Sequence, residues 1–350
     1  MWRRCRGHRG CVSGEQGCPK RMTFGPCGGV RDDASCELDR RPCPFAQPPA
    51  EVVRWPAETA PPGRSSPPSR LLDAARSGPV VLSDLTTPAY DSAGLAAVVD
   101  VLCGSCDAVL VGEHQSRPDF PPALMSTLVA QAGGTPWVTL TCRDRNRVVL
   151  EQELAGLALT GVDGVLCVTG DVRAPGVRSG VSQVFDLDGT RLAALARERG
   201  HAVAVPEAPA AVPRALRPAR LLQKQRAGAH LGVLNHVATP REVADFVAAA
   251  RALGVTIPVI AAVAVYTDER SARVLQRFPG LHLEDDRVEA VLGAPDVREA
   301  GIEAAVAEAR ALLAVEGVVG VNLSGLASGE GELAGARVKA EIGERIREGR

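Results

Sequence analysis

Aromatic residues are scarce in this chain: three tryptophans, two tyrosines and six phenylalanines in 350 residues. That scarcity excludes a base-stacking platform for single-stranded nucleic acid. Positive charge is not in excess either, since 40 basic residues face 41 acidic ones for a net charge of −1. A protein built to grip nucleic-acid phosphates carries a basic surplus. Lysine occurs only at Lys20, Lys224 and Lys339. With the abundant alanine, glycine and valine, that reads as the composition of a GC-rich genome. No run approaches the roughly 20 apolar residues of a membrane span; the best, Ile257 to Tyr266, reads as a buried strand. Met1 to Arg9 is polar and arginine-rich, without an apolar secretory stretch. The expectation is a cytoplasmic protein with neither nucleic acid nor membrane as partner.

Cysteine, by contrast, is plentiful and uneven. Six of the ten (Cys5, Cys11, Cys18, Cys27, Cys36 and Cys43) fall in the first 43 residues. In a reducing compartment, thiols crowded in this way hold metal more often than they form disulfides. Residues 1–46 carry nine basic and five acidic residues and show neither helical nor strand period. So small a segment cannot bury enough apolar surface alone, and a metal would act as its core. Residues 47–70, with PPAE, APPG and SSPPS, read as a proline-stiffened linker.

Residues 71–350 are of another kind. Eight apolar runs read as strands: Val80–Leu85, Ala108–Gly112, Trp137–Thr141, Val162–Val168, Ala202–Val205, Leu231–Leu234, Pro258–Ala262 and Val318–Leu323. Helical periods lie between them, as in Val148–Leu159, Pro240–Leu253 and Val297–Leu313. Strands that are continuously apolar belong to a parallel sheet covered on both faces. Eight β/α units in this length predict an α/β fold, a closed (β/α)8 TIM-type barrel. An open doubly wound sheet is the runner-up, and its G-x-G-x-x-G after the first strand is missing.

Barrel chemistry sits just past the strands, on the C-terminal face. Polar residues gather there: Asp84, Thr86 and Thr87; Glu113, His114 and Gln115; Cys142 to Arg147; Thr169-Gly170-Asp171; and Asn235-His236. Any one of them alone reads as a cap or a solvated loop. Arg143, Arg145 and Arg147 suit either an anionic ligand or solvent. Cys103-Gly-Ser-Cys106 has redox spacing but lies away from this rim and reads as structural.

The stretch VTLTCRDRNRVVLEQELAGLALTGVDGVLCVTGD (138–171) resembles the folate- and flavin-binding core of methylenetetrahydrofolate reductases. Later landmarks follow in the family's order: VFDLDGTRL (184–192), VPE (205–207), KQRAGAHLGVLNH (224–236), IPVIAAV (257–263), FPG (278–280) and GVVGVNL (317–323). The resemblance implies reduction of 5,10-methylenetetrahydrofolate to 5-methyltetrahydrofolate, with NAD(P)H as hydride source and FAD as the usual relay. It places Asp171 beside the flavin, with Thr169 and Gly170 in the same cofactor loop. It sets Lys224 on the flavin's phosphate side and Asp84 at the general acid, and it places Asn235 against pterin and nicotinamide. Arg143 is a candidate for the folate tail.

The sequence also departs from the family pattern. Asp84 and Asn235 stand where the family has glutamate and glutamine, each one methylene shorter. Thr139, Val205 and Pro209 replace a histidine, a tyrosine and a second histidine, and Leu234 replaces a threonine. Two readings therefore stay open: a reductase, with FAD or by direct hydride transfer, and a non-catalytic folate-binding or electron-transfer partner.

CPKRMTFGPCGGVRDDASCELDRRPCPF (18–45) resembles the small cysteine-rich domain that accompanies some of these reductases. It implies metal at Cys18, Cys27, Cys36 and Cys43, with Cys5 and Cys11 as further ligands and His8 between them. The C-x8-C-x8-C-x6-C spacing is too wide for a zinc ribbon and leaves zinc and an iron–sulfur cluster both open. A cluster would bring an electron-donor protein as partner; a homo-oligomer is also open.

Overall fold

The computed structural model describes residues 17–47, 50–56, 68–113, 117–171, 180–277, 281 and 283–348. Cys5, Cys11, His8, His114 and Gln115 lie outside the described residues. In chain order the elements are α1 (Arg70–Ser77), β1 (Val80–Leu85), α2 (Ser92–Leu102), β2 (Ala108–Val111), α3 (Pro122–Gln131) and β3 (Pro136–Thr141). Next come α4 (Arg147–Leu157), β4 (Gly164–Val168), α5 (Gly189–Glu198), β5 (Val203–Glu207), α6 (Arg217–Arg226) and β6 (Leu231–Leu234). The last third holds α7 (Pro240–Ala252), β7 (Val259–Tyr266), α8 (Glu269–Gln276), α9 (Asp285–Leu292), α10 (Val297–Leu313), β8 (Val318–Ala327) and α11 (Glu332–Glu348).

The strands close in order, β1 to β8 and back to β1, every pair parallel. The expected (β/α)8 barrel is the observed fold. β7 runs to Tyr266, the end of the apolar run, and β8 outruns the expected Val318–Leu323, to Ala327, staying paired with β7 across register shifts at Val259/Ile260 and Ala264/Tyr266. No helix among the described residues is long and apolar enough to cross a membrane.

Alternation along each strand divides the apolar residues between two cores. Leu82, Leu110, Trp137, Leu166, Val233 and Ile260 fill the barrel with Leu71 and Leu72 of α1. The opposite faces pack beneath the helices. Asp163, just ahead of β4, fixes α1 in place. It accepts from the Ser69 hydroxyl at 2.8 Å, the Arg70 and Leu71 amides at 2.7 and 3.1 Å, and the Trp137 indole at 2.7 Å. One carboxylate thus caps a helix and seats the largest side chain of the inner core.

The cysteine-rich stretch lies at the other end of the barrel, over its C-terminal mouth. Its regular structure is a single antiparallel bridge, Ser35 with Pro42. The Cys36 amide donates to Arg41 and the Cys43 amide to Ala34, at 2.7 and 2.9 Å, folding 34–43 back on itself. Met22, Val30, Cys43 and Phe45 form its small core, with Cys18 and Cys27 packed against them.

Candidate active site at the barrel mouth

The loop after β4 turns on Gly170, whose φ of +93° is the left-handed region. A Cβ there would also lie 3.0 Å from that of Arg143 and 3.2 Å from that of Thr141. Thr169 accepts the Gly189 amide at 2.9 Å, so the first turn of α5 holds the loop. Asp188, the cap of that helix, accepts from Arg191 within the helix and from Thr23 of the cysteine-rich stretch, at 2.9 and 3.1 Å.

β5 ends in Glu207, which is buried among the cations of α6. Lys224 donates to its carboxylate at 2.7 Å and also to the Pro206 carbonyl, while Arg217 stands 3.6 Å away. Burial pushes the Glu207 pKa up, but Lys224, Arg217 and Arg220 outweigh it, and the carboxyl titrates below its ordinary range. Burial likewise lowers Lys224, to about 8, against the opposing pull of Glu207. After β6, the Asn235 amide donates to the Glu207 carbonyl at 2.8 Å, tying the two strand ends together. His236 beside it turns away into a buried cluster, 2.7 Å from Glu308, which Arg287 also pairs at 2.9 Å.

The cysteine-rich stretch closes over these groups. The Lys20 ammonium, 2% exposed, donates to the Gly170 carbonyl at 2.7 Å and pairs with Glu37. Burial pushes its pKa down, yet Cys27, Glu37 and Asp171 together reverse the direction and raise it. What remains is a cavity of about 240 Å³, lined among others by Lys20, Cys27, Asp171, Arg220, Lys224 and Asn235. Pockets that enclose a drug-sized ligand run about 300–1,000 Å³, and FAD is bulkier than such ligands. With the stretch seated, the residues at this mouth do not fit a flavin.

Thr169, Gly170, Asp171, Lys224 and Asn235 are thus brought into one place. Arg143 and Asp84 are not among them. Arg143 is buried and lines a neighbouring cavity of about 280 Å³ between the ends of β2 and β3. Its guanidinium donates to Asp144 at 2.9 Å and to the Asp171 carbonyl at 3.4 Å. In the same cavity Arg145 pairs with both oxygens of Glu113, at 2.7 and 2.9 Å, and Glu113 also accepts the Thr141 amide at 2.8 Å. Asp84, on the inward face of β1, accepts from Asn322 of β8 at 2.8 Å. Its carbonyl accepts from buried Lys339 of α11 at 2.8 Å. Sequence reasoning passed over Lys20, Lys339, Asn322 and the charge role of Glu207. The rarity of lysine was the available signal for two of them.

Cys18, Cys27, Cys36 and Cys43 are free thiols. Backbone amides face three of the sulfurs: Met22 and Lys20 at Cys18, Gly29 at Cys27, and Phe45 and Ala46 at Cys43. Among the described residues, however, no group of three or more His, Cys, Asp or Glu is arranged to hold a metal ion. Cys27 instead lies 3.6 Å from Glu37, and burial pushes its thiol up to about 11. Of the CxxC pair, Cys106 is buried and raised to about 11, a packing thiol.

In solved structures the fold is shared with an uncharacterized protein from Clostridium thermocellum that binds two copies of 5-methyl-5,6,7,8-tetrahydrofolic acid. That match has a TM-score of 0.62 at 11% identity, covering 81% of this chain and 100% of that one. Tryptophan synthase from M. tuberculosis matches at TM-score 0.43 and 16% identity, over 79% of this chain and 96% of that one. A 2,3-dimethylmalate lyase matches at 0.45 and 12%, over 73% and 80%. No curated protein matches the chain in sequence. The sequence model of methylenetetrahydrofolate reductase matches residues 108–332, from the start of β2 into α11, including the barrel's own residues at the mouth between β4 and β6 but not those of the cysteine-rich stretch. The chain belongs to the methylenetetrahydrofolate reductase family.

Proposed function

We propose that this protein reduces 5,10-methylenetetrahydrofolate to 5-methyltetrahydrofolate with NAD(P)H as the electron source. The observation that carries the reading is the convergence of Asp171 and Asn235 on one cavity at the C-terminal mouth of a barrel of this family. The folate bound by the Clostridium thermocellum barrel supports the same ligand class here. Opening the methylene bridge creates a 5-iminium cation, and the Asp171 carboxylate stabilises positive charge as it develops. Asn235 supplies an amide that donates to and accepts from a pterin edge. Asp84 of β1 stands outside this cavity, paired with Asn322 of β8, and protonation of the departing nitrogen is therefore not assigned to it. No step is routed through a flavin, and a cavity of about 240 Å³ has room for the pterin head alone, so that the folate tail and NAD(P)H must lie outside it.

Two observations favour a second reading, a folate-binding or electron-transfer partner without catalysis. The mouth is narrow, and Thr139 and Val205 stand where the family has a histidine and a tyrosine. Anaerobic assay of the purified protein separates the two. Oxidation of NAD(P)H that depends on methylenetetrahydrofolate is expected for the reductase. Folate binding with no such oxidation would establish the alternative. Metal at the N-terminal cysteines, zinc or an iron–sulfur cluster, belongs to the same proposal. Elemental analysis should find metal in the wild type and less in Cys27→Ser; equal content would remove Cys27 from the ligand set.

A further inference from the structure

We propose that the cysteine-rich stretch, residues 18–46, is the resident occupant of the mouth between β4 and β6, and that it and a flavin exclude each other there. The inference concerns this mouth alone and holds whichever reaction the barrel performs.

Four observations support it. First, the cations of α6, a helix face suited to a phosphate-bearing cofactor, already have acceptors from the stretch. Arg220 donates to the Phe24 carbonyl at 2.7 Å and Arg217 to the Pro26 carbonyl at 3.3 Å. Second, Lys20 reaches the loop that the family uses for its cofactor, where the Gly170 carbonyl accepts from it. A buried ammonium with a carboxylate and a carbonyl as partners is costly to leave unpaired. Third, the approach is built into the backbone. Gly25 has a φ of +116°, and a Cβ there would lie 2.5 Å from Cδ of Arg220, so only glycine permits the contact. Fourth, the outer edge is sealed. Phe24 and Trp55, both buried, meet with ring centroids 4.8 Å apart, and the Trp55 amide donates to Gln223 of α6 at 2.8 Å. With about 240 Å³ left, a flavin could enter this mouth only by displacing the residues of the stretch that line it, Lys20 and Cys27 among them.

The test uses the full chain and FAD itself. Binding is followed by flavin fluorescence, and seating of the stretch by mass spectrometry of Lys20 after brief treatment with an amine-acylating reagent. Wild type should either bind no FAD or expose Lys20 as it binds. Phe24→Asp places a charge in the Phe24–Trp55 contact and should expose Lys20 and strengthen FAD binding at least about tenfold. Stoichiometric FAD on wild type with Lys20 still protected would overturn the proposal, and that arm needs no variant. So would a Phe24→Asp protein that keeps its barrel by circular dichroism and exposes Lys20, yet binds FAD no better. Binding of 5-methyltetrahydrofolate is measured in the same samples. Its absence would defeat the folate reading and leave the exclusion result standing.

Discussion

Lys20, Lys224 and Lys339 each donate to a backbone carbonyl of the barrel mouth: Gly170, Pro206 and Asp84 respectively. They are 2%, 8% and 2% exposed, in a chain whose surface cations are arginines. A compact ammonium on a flexible stem reaches a single carbonyl where a planar guanidinium would not fit. Brief acylation of the native protein should therefore leave all three lysines unmodified by mass spectrometry; rapid labelling of Lys339 would refute its burial against β1. Glu207 yields a pH prediction. Its folded pKa lies below its ordinary value, so its stabilising contribution is present above about pH 4.5 and is lost as pH falls through the folded pKa. Glu207→Gln strands buried cations and should cost about 3–5 kcal/mol near neutral pH. In urea unfolding the gap to wild type should close on acidification; a constant gap would mean that the carboxylate charge is not what matters. Asp171→Asn should slow methylenetetrahydrofolate-dependent NAD(P)H oxidation about 10²–10³-fold with little change in 5-methyltetrahydrofolate binding, because the cation is present only on the way to the transition state. A loss of folate binding as large as the loss of rate would count against that role.

Among the elements, α6 shows why some of the fold was hard to read. Its sequence, RPARLLQKQR, is polar nearly throughout, yet Arg217, Arg220, Gln223 and Lys224 are all buried. Their partners are polar: the nearby Glu207 and the carbonyls of Ala211 and Val212, and, remote in sequence, the carbonyls of Phe24 and Pro26 and the Trp55 amide, so no hydrophobic period marks these positions. α10 shows the opposite case. Val297–Leu313 was legible to the residue because Asp296 caps it and Ile302, Ala305, Ala309 and Leu312 repeat at helical spacing. α1 has a local cap in Ser69, but its first two amides and the Ser69 hydroxyl all donate to the distant Asp163 carboxylate, and Asp163→Ala should be severe. It leaves two amides, a hydroxyl and an indole without their acceptor at the closed end of the barrel, a loss of about 3–5 kcal/mol. Thermal unfolding measures it, and a shift of only a degree or two would show that solvent replaces Asp163 easily.

Over the whole molecule, the barrel and the cysteine-rich stretch make one site. The β4 loop, the end of β5, α6 and residues 20–29 share the walls of the cavity. The sequence by itself determined the eight strands and their order, because buried parallel strands leave continuous apolar runs that need no partner to be seen. It also determined where polar residues collect, because the strand ends are fixed once the strands are. Only the tertiary structure decided which of those residues meet. Asp171, Lys224 and Asn235 line one cavity, Arg143 and Glu113 the next, and Asp84 stands on β1 with Asn322 and Lys339. The seating of residues 18–46 over the mouth was likewise decided there. It rests on hydrogen bonds from side chains of α6 to backbone carbonyls about 190 residues away, and a carbonyl acceptor carries no side-chain signature in the sequence.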